Sequence, residues 1–211
     1  MICPLCENKR TLPFWRDQRR SYMRCDRCFL VFVPTEYHLS LAAEKAEYDL
    51  HRNDPGDPGY RKFLQRLFEP LRERLTAGAK GLDFGSGPGP TLAPMFAEAG
   101  FDMAIYDPFY APDRSVLQNR YDFISCSEVL EHFHAPGREL QFLWELLAVE
   151  GWLGVMTKLV IDQQAFSRWH YKNDPTHVAF FSRETFVYLA RKLNARLELI
   201  APDVILLQKT S

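Results

Sequence analysis

Residues 82–89 read LDFGSGPG and decide the fold. The segment passes from a short apolar strand into glycines at alternate positions, which let the backbone turn sharply and approach a ligand closely. Pro90 and Pro94 follow, and both fit a helix that begins here, because the first turn of a helix does not need the N–H groups that proline lacks. The segment therefore predicts a strand, a tight turn and a helix start with free amides. A purely structural turn is the alternative.

Two acidic residues accompany this turn. Asp83 precedes the first glycine, and Asp107 closes the next predicted strand, 22 residues after Gly85. An acid at the end of a second strand can accept hydrogen bonds from both hydroxyls of a ribose. The glycines follow the spacing G-x-G-x-G rather than G-x-G-x-x-G, and the lysine of a phosphate-binding loop is missing. The pattern therefore disfavours a dinucleotide or a nucleoside triphosphate.

From Gly81 onward, short apolar runs alternate with stretches of helical periodicity. This alternation predicts an α/β fold with a parallel sheet that binds ligands at its carboxyl edge. Two helices are expected upstream, at residues 39–50 and 60–76. The elements expected after them are strands at 82–84, 101–106, 122–125 and 152–156, helices at 91–99, 137–148 and 183–193, and a terminal strand pair at 196–200 and 204–208.

The run YDFISCSEVLEH at residues 121–132 adds a third motif to residues 82–89 and Asp107. Together the three resemble class I S-adenosylmethionine-dependent methyltransferases, and the last run resembles the subgroup of ubiquinone-biosynthesis O-methyltransferases. The resemblance covers roughly residues 60–209 and implies a Rossmann-like sheet of seven strands that binds S-adenosylmethionine. It also implies cofactor contacts from Asp83, Gly85, Ser86, Gly87, Asp107, Ser127, Glu128 and Val129.

The chain departs from this family between Asp107 and Asp122. Only 14 residues separate the two, whereas the family fits a helix and a third strand there. We therefore expect an irregular loop with at most a short strand near Val116, and no assigned adenine contacts.

Four of the five cysteines form two pairs, Cys3 with Cys6 and Cys25 with Cys28. The spacing C-x2-C-x18-C-x2-C is typical of a structural zinc site, in which two tight turns direct four thiolates at one ion. Disulfides are the alternative, which the apparent absence of a secretion signal disfavours. Four sulfur ligands leave no open position, so the predicted zinc ribbon has a structural metal. The fifth, Cys126, is interpreted as a small buried hydrophobe.

Two histidines are the candidate catalytic residues. Methyl transfer from a sulfonium mainly requires alignment, and a base helps where the acceptor must lose a proton. Histidine suits that role because its ordinary pKa is about 6.5. His132 lies one helical turn beyond Glu128, and His177 matches a histidine commonly found in the corresponding loop of the related methyltransferases. A helix-start histidine bonded to a carbonyl is the structural alternative for His132.

The acceptor is expected to meet two polar segments. Residues 167–177 (SRWHYKNDPTH) form a long connection rich in rings and hydrogen-bonding groups, which predicts a substrate wall that includes Tyr171 and Asp174. Upstream, Tyr48 and His51 lie on nearly one helix face and would contact the substrate from a helical lid. Loop packing and a solvated helix face are the respective alternatives.

The predicted domain division is a zinc ribbon at 1–35, a helical linker or lid at 36–77, and an S-adenosylmethionine-binding domain at 78–211. The ribbon has seven basic and three acidic residues, in a chain of net charge −1. The favoured function is methylation of a small molecule. The alternatives are RNA base methylation with the basic ribbon as a docking site, and a non-catalytic S-adenosylmethionine-binding module. The acceptor, the methylated atom and the oligomeric state do not follow from these patterns.

Composition is that of a globular protein, with 46% hydrophobic and 25% charged residues. The longest apolar runs have about five residues, far short of the ~20 that span a bilayer. Residues 1–4 (MICP) do not begin a secretion signal. A cytoplasmic protein with no membrane partner is therefore expected.

Overall fold

The computed structural model describes residues 1–50 and 53–210. The chain forms two β-sheets with helices packed around them. In chain order, its elements are β1 (Thr11–Arg16), β2 (Ser21–Cys25), β3 (Val31–Phe32), α1 (Leu41–Tyr48), α2 (Pro58–Arg72), β4 (Lys80–Phe84), α3 (Leu92–Glu98), β5 (Asp102–Tyr106), β6 (Tyr121–Ser127), α4 (Pro136–Leu146), β7 (Leu147–Met156), α5 (Gln163–Ser167), β8 (Ala179–Phe180), α6 (Arg183–Leu193), β9 (Ala195–Ala201) and β10 (Val204–Lys209).

The larger sheet has the strand order β5-β4-β6-β7-β10-β9. The first four strands are parallel, whereas β10 runs antiparallel to both β7 and β9. This arrangement confirms the expected α/β class and the terminal strand pair. It also brings the carboxyl ends of β4, β5 and β6 to one edge, where a ligand can bind.

The sheet has six strands among the described residues, so the expected count of seven is wrong by one. The reason lies between β5 and β6, where the short connection forms a single 3-10 turn at Arg114–Gln118 instead of a helix and a strand. The connection contains this turn and no strand near Val116, in agreement with the expected irregular loop. Too few residues are present to cross the sheet and return.

The inner parallel strands β4, β6 and β7 bury side chains on both faces, as their apolar runs predict, whereas the edge strand β5 is partly exposed. On one face, Phe123 of β6 packs with Leu67 of α2 and Phe96 of α3. On the other face, the adjacent Ile124 belongs to a core that includes Leu143 of α4 and Phe186 of α6. Because side chains alternate along a strand, two successive residues of β6 thus serve two separate cores.

Helix boundaries follow local capping. Helix α2 begins after Asp57, whose carboxylate accepts a hydrogen bond from the Gly59 amide at 2.7 Å. Helix α6 begins after Ser182, which forms a reciprocal capping pair with Thr185, and ends at Asn194 in the left-handed conformation. These signals explain why the expected helix at 183–193 has the predicted bounds. No described helix is long and apolar enough to cross a membrane.

The smaller sheet has the order β1-β2-β3-β8 and joins distant parts of the chain. Val31 and Phe32 pair antiparallel with Phe180 and Ala179. Cys3, Leu5, Cys25 and Cys28 pack in the same core as Phe181, Phe186 and Leu189. The core of the cysteine-containing segment is therefore continuous with the core of the larger sheet, rather than separate from it as expected of an appended ribbon.

Candidate active site

A cavity of about 800 Å³ opens at the carboxyl edge of the larger sheet. Its volume lies within the range of about 300–1,000 Å³ that is usual for small-molecule sites. The turn after β4 and the end of β5 line one part of the cavity, which we call the glycine wall, and α1, His132, Asp174 and His177 line another part, which we call the histidine wall. The end of β6 and α2 complete the lining. The three motifs singled out in the sequence thus meet in one cavity.

The glycine turn after β4 depends on its lack of side chains. Gly85 has φ +74° and Gly87 has φ +65°, in the left-handed region that glycine adopts without strain. A Cβ at Gly85 would lie 2.6 Å from a methyl carbon of Val129, whereas one at Gly87 would meet nothing within 4 Å. Gly85 therefore allows close packing, and Gly87 presents bare backbone to the cavity.

Asp107 ties this turn to the end of β5. Its Oδ1 accepts hydrogen bonds from the amides of Phe109 at 2.8 Å and Tyr110 at 3.0 Å, and its Oδ2 accepts one from Gly87 at 3.0 Å. The carboxylate is buried at the cavity wall. Three amides fix its orientation and leave lone-pair positions for a ligand, because two carboxylate oxygens offer about four such positions.

Asp83 lies beneath the turn. It is buried and accepts a hydrogen bond from the Ser125 hydroxyl at 2.7 Å. Burial raises the pKa of Asp83 to about 6, since the charged form loses its hydration.

The end of β6 supplies the residues from Ser127 to Val129, all of which line the cavity. Glu128 is in the left-handed region at φ +53°, and burial raises the pKa of its carboxyl group. Within residues 1–50 and 53–210, its Oε1 and the hydroxyl of Ser86 are buried without a hydrogen-bond partner. Buried polar groups are normally hydrogen-bonded, so these two atoms are suited to bind a polar ligand.

His132 and His177 lie next to each other in the histidine wall, with ring centroids 4.7 Å apart. The Nδ1 atom of His177 lies 2.8 Å from the Tyr171 carbonyl oxygen. Since a carbonyl can only accept, Nδ1 carries the ring proton in the neutral form, and Nε2 is the nitrogen that can take up a proton. Asp174 Oδ2 lies 3.7 Å from this Nε2.

Tyr171 is buried behind His177 rather than among the residues that line the cavity. Its hydroxyl donates to Glu131 Oε1, and Thr157 donates to Glu131 Oε2 at 2.9 Å. Burial, with the neighbouring charge of Glu128, raises the pKa of Glu131 to about 8. Sequence reasoning missed Glu131, although it lies within the run 121–132 next to His132.

Glu131, His132 and His177 place one potential ligand atom each within 4.8 Å of one another, so the trio could hold a metal ion. Both oxygens of Glu131 already accept hydrogen bonds from hydroxyl groups, which compete with a metal for the same lone pairs.

Helix α1 covers the histidine side of the cavity. The ring of Tyr48 lies 5.2 Å from that of His132 and 5.8 Å from that of Phe109. Glu44, which is buried, lies 2.8 Å from Nε2 of His134. His51, the other residue expected on this helix, lies outside the described residues.

The four paired cysteines lie together in the N-terminal segment, and their sulfur atoms are all within 4.8 Å of one another. Cys3 and Cys28 are 3.5 Å apart, as are Cys6 and Cys25. A tetrahedral zinc with Zn–S bonds of about 2.3 Å needs sulfur–sulfur separations of about 3.8 Å. The hydrogen bond between Cys3 and Cys28 lowers the pKa of Cys3 and raises that of Cys28, so the first of the two thiols to lose its proton is Cys3. All five cysteines are free thiols.

Comparison with known proteins identifies the family to which the chain belongs. The family model of a methyltransferase domain matches residues 56–199, which is 144 of 211 positions. No curated protein sequence gives a significant match.

Solved structures resemble the chain at low sequence identity. An O-methyltransferase family protein from Burkholderia thailandensis matches with a TM-score of 0.52 and 13% identity, over 71% of this chain and 56% of that one. The CurJ carbon methyltransferase matches with a TM-score of 0.43 and 17% identity, over 66% of this chain and 51% of that one. The N-methyltransferase NodS from Bradyrhizobium japonicum matches with a TM-score of 0.49 and 15% identity, over 74% of this chain and 99% of that one. This chain thus spans little more than half the length of the first two.

The family model spans the glycine turn, Asp107, the run 121–132 and His177, so every motif around the cavity lies inside the matched region. It leaves out the cysteine-containing segment and α1. The chain belongs to the family of methyltransferase domains.

Proposed function

We propose that the protein transfers a methyl group from S-adenosylmethionine to a small-molecule acceptor. The observation that carries this proposal is the arrangement of the cavity, with a bare glycine turn and Asp107 on one wall and two histidines on the other. The ubiquinone-biosynthesis subgroup is favoured only by the resemblance of residues 121–132.

The cofactor would occupy the wall formed by the glycine turn. Gly87 leaves room for its methionyl part beside Gly85, which packs on Val129, and the fixed carboxylate of Asp107 would accept the ribose hydroxyls. Glu128 Oε1 and the Ser86 hydroxyl offer buried polar atoms for its remaining groups. Ser127 and Val129 would flank it, with Asp83 acting through the turn or through a water.

The acceptor would lie against the histidines. S-adenosylmethionine, when bound, supplies an electrophilic methyl group, so these residues chiefly align the acceptor. We assign His177 as the base, because its tautomer leaves Nε2 to take up a proton, and His132 as an orienting group or second base. Asp174 and Tyr48 would contact the acceptor, whereas Tyr171 would hold Glu131 and His177 from behind.

The four paired cysteines would bind one structural zinc ion, which their sulfur separations fit. Free thiols and a thiolate metal site are typical of a reducing compartment such as the cytoplasm. RNA methylation receives less support, because one of the seven basic residues of the ribbon, Arg20, is buried against main-chain carbonyls and adds nothing to a phosphate-binding surface. A non-catalytic binding module would not require the adjacent His132 and His177 in the cavity.

Calorimetric titration of the full chain with S-adenosylhomocysteine, NAD and ATP tests the cofactor assignment. We expect binding of S-adenosylhomocysteine and not of the other two. Binding of NAD with equal or greater affinity would contradict the proposal. Methyl transfer from labelled S-adenosylmethionine to candidate acceptors, including bulk RNA, then tests the substrate class.

A further inference from the structure

Arg20 is a buried cation that links the cysteine-containing segment to the 167–177 loop. Only 7% of its surface is exposed. Its Nη2 donates to the carbonyl oxygens of Lys172 at 2.6 Å and Asp174 at 2.8 Å, and its Nη1 donates to that of Pro175 at 3.2 Å. One side chain therefore holds three main-chain carbonyls of a single short segment.

A second set of contacts fixes Arg20 itself. Its Nε donates to the Tyr22 hydroxyl at 3.0 Å, and this hydroxyl lies 3.1 Å from Asp17 Oδ2. The Nζ atom of Lys172, a residue of the loop, lies 3.4 Å from the same Asp17 oxygen. The ring of Tyr22 packs edge-on against Phe166 at 5.0 Å. Because a buried guanidinium is costly unless its donors are paired, these contacts define one position for both Arg20 and the loop.

The segment that Arg20 holds also orients the candidate base. The Tyr171 carbonyl accepts from His177 Nδ1, and the His177 amide lies 3.3 Å from the Asp174 carbonyl oxygen. The carbonyl of Asp174 thus meets Arg20 on one side and His177 on the other, while its side chain lines the cavity. A shift of this segment would move the ring of His177.

We propose that residues 17–22 are part of the acceptor side of the active site and that Arg20 is a positioning residue for the 167–177 loop and the ring of His177. An effect of Arg20 on catalysis depends on the proposed role of His177 as the base. The contacts between Arg20 and the loop do not depend on that proposal. Arg20 lies outside residues 56–199, so membership of the methyltransferase family does not supply this function.

The test compares Arg20→Ala with Arg24→Ala in the full chain. Arg24 lies on strand β2, is exposed and stacks on Phe14 and Phe29. Amide hydrogen exchange is measured at Thr176, His177 and Val178, and the ring nitrogens of His177 are observed by ¹⁵N NMR. Neither measurement needs an identified acceptor.

In Arg20→Ala we expect exchange at these three amides to become at least tenfold faster and the Nδ1-protonated form of His177 to lose its dominance. Amides of β10 should keep their wild-type rates, and the affinity for S-adenosylhomocysteine should change by less than about twofold. Arg24→Ala should match the wild type in every measurement. Tyr22→Phe, which removes one partner of Arg20 and keeps the ring, should shift the loop amides in the same direction by a smaller factor.

Unchanged exchange at the loop amides in both Arg20→Ala and Tyr22→Phe would overturn the proposal. Faster exchange with unchanged ring signals of His177 would also overturn it, because the contacts of Arg20 would then have no effect on the ring of His177. If Arg20→Ala does not fold, Tyr22→Phe and Arg20→Lys decide by the same two criteria. A wild-type protein that fails to bind S-adenosylhomocysteine would instead contradict the proposed function and leave the loop result standing.

Discussion

The two walls of the cavity are held by different parts of the chain. On the glycine wall, Asp107 is fixed by hydrogen bonds from the main-chain amides of residues within 20 positions of it in the chain. On the histidine wall, α1, the run 128–134, the 167–177 loop and Arg20 meet through side chains. The first wall therefore depends on a local turn, and the second depends on the packing of the whole molecule.

The largest expected effect comes from removing the zinc proposed for the four paired cysteines. Structural zinc contributes about 10–16 kcal/mol to the folding of isolated zinc-finger peptides, so we expect its removal to lower the free energy of unfolding by several kcal/mol. Because Cys3 and Phe181 share one core, unfolding should remain a single transition at a lower temperature.

Calorimetric melting with and without a chelator, together with elemental analysis, checks this. Cys126→Ala serves as the control, since it removes a buried thiol without changing the metal content. A separate early transition of the cysteine-containing segment, or full stability without metal, would contradict the shared core.

Replacing the proposed base, His177, should affect methyl transfer and leave cofactor binding unchanged. His177→Ala should lower the rate of methyl transfer by ~10²–10⁴-fold, the usual contribution of a general base. The affinity for S-adenosylhomocysteine should stay nearly constant, because the glycine wall is untouched. Single-turnover transfer and calorimetry measure the two effects. His170→Ala is the control, since His170 lies in the same loop but is exposed and contacts Lys158; equal rates in the two variants would rule out the assigned role.

Asp107→Ala should weaken cofactor binding and leave the histidine wall unchanged. The cofactor should bind more weakly by roughly 1.5–3 kcal/mol, the scale of hydrogen bonds to a charged group, which is about ten- to a hundredfold. Amides of the 167–177 loop should exchange as in the wild type. The control is Asp102→Ala at the exposed start of β5. Calorimetric affinities that do not differ between the two variants would exclude Asp107 from the cofactor site.

The smallest effect concerns α1 and pH. The hydrogen bond to Glu44 raises the pKa of His134, and the charge of Glu139 acts in the same direction. The His38 ring packs 4.5 Å away, and burial lowers its pKa. A raised folded-state pKa of His134 means that the stabilisation is fully present below about pH 6.5 and is lost as the pH rises through the raised value. As for other partly exposed pairs, it should be worth less than about 1 kcal/mol.

Limited proteolysis of α1 between pH 6 and 8 measures this loss, and His134→Gln should remove most of the pH dependence. A helix that becomes more resistant with rising pH would contradict the assigned sign.

Sequence reasoning reached the glycine wall because its signals are local. The turn at 85–87, the acid at the end of β5 and the shortened connection before β6 are all visible within 40 residues. The cavity also brings together His132, His177 and Asp174, which sequence reasoning had selected.

The histidine wall was harder to predict because its contacts are distant in sequence. Nothing near Arg20 indicates that its partners lie more than 150 residues away. The strands β3 and β8 have two residues each, too few to show a period. Tyr171 was selected for its ring within a polar loop, but composition does not reveal that its hydroxyl points inward to Glu131.

The pairing of β3 with β8 has a consequence for the order of synthesis. Val31 meets Phe180, and ribosomes add about 5–20 residues each second, so the second strand trails the first by roughly 7–30 s. Throughout that interval the four paired cysteines have left the ribosome without the partner strand that completes their sheet. Their thiols are then exposed, so a chain that takes up the proposed zinc at this stage would be protected from oxidation before the sheet is complete.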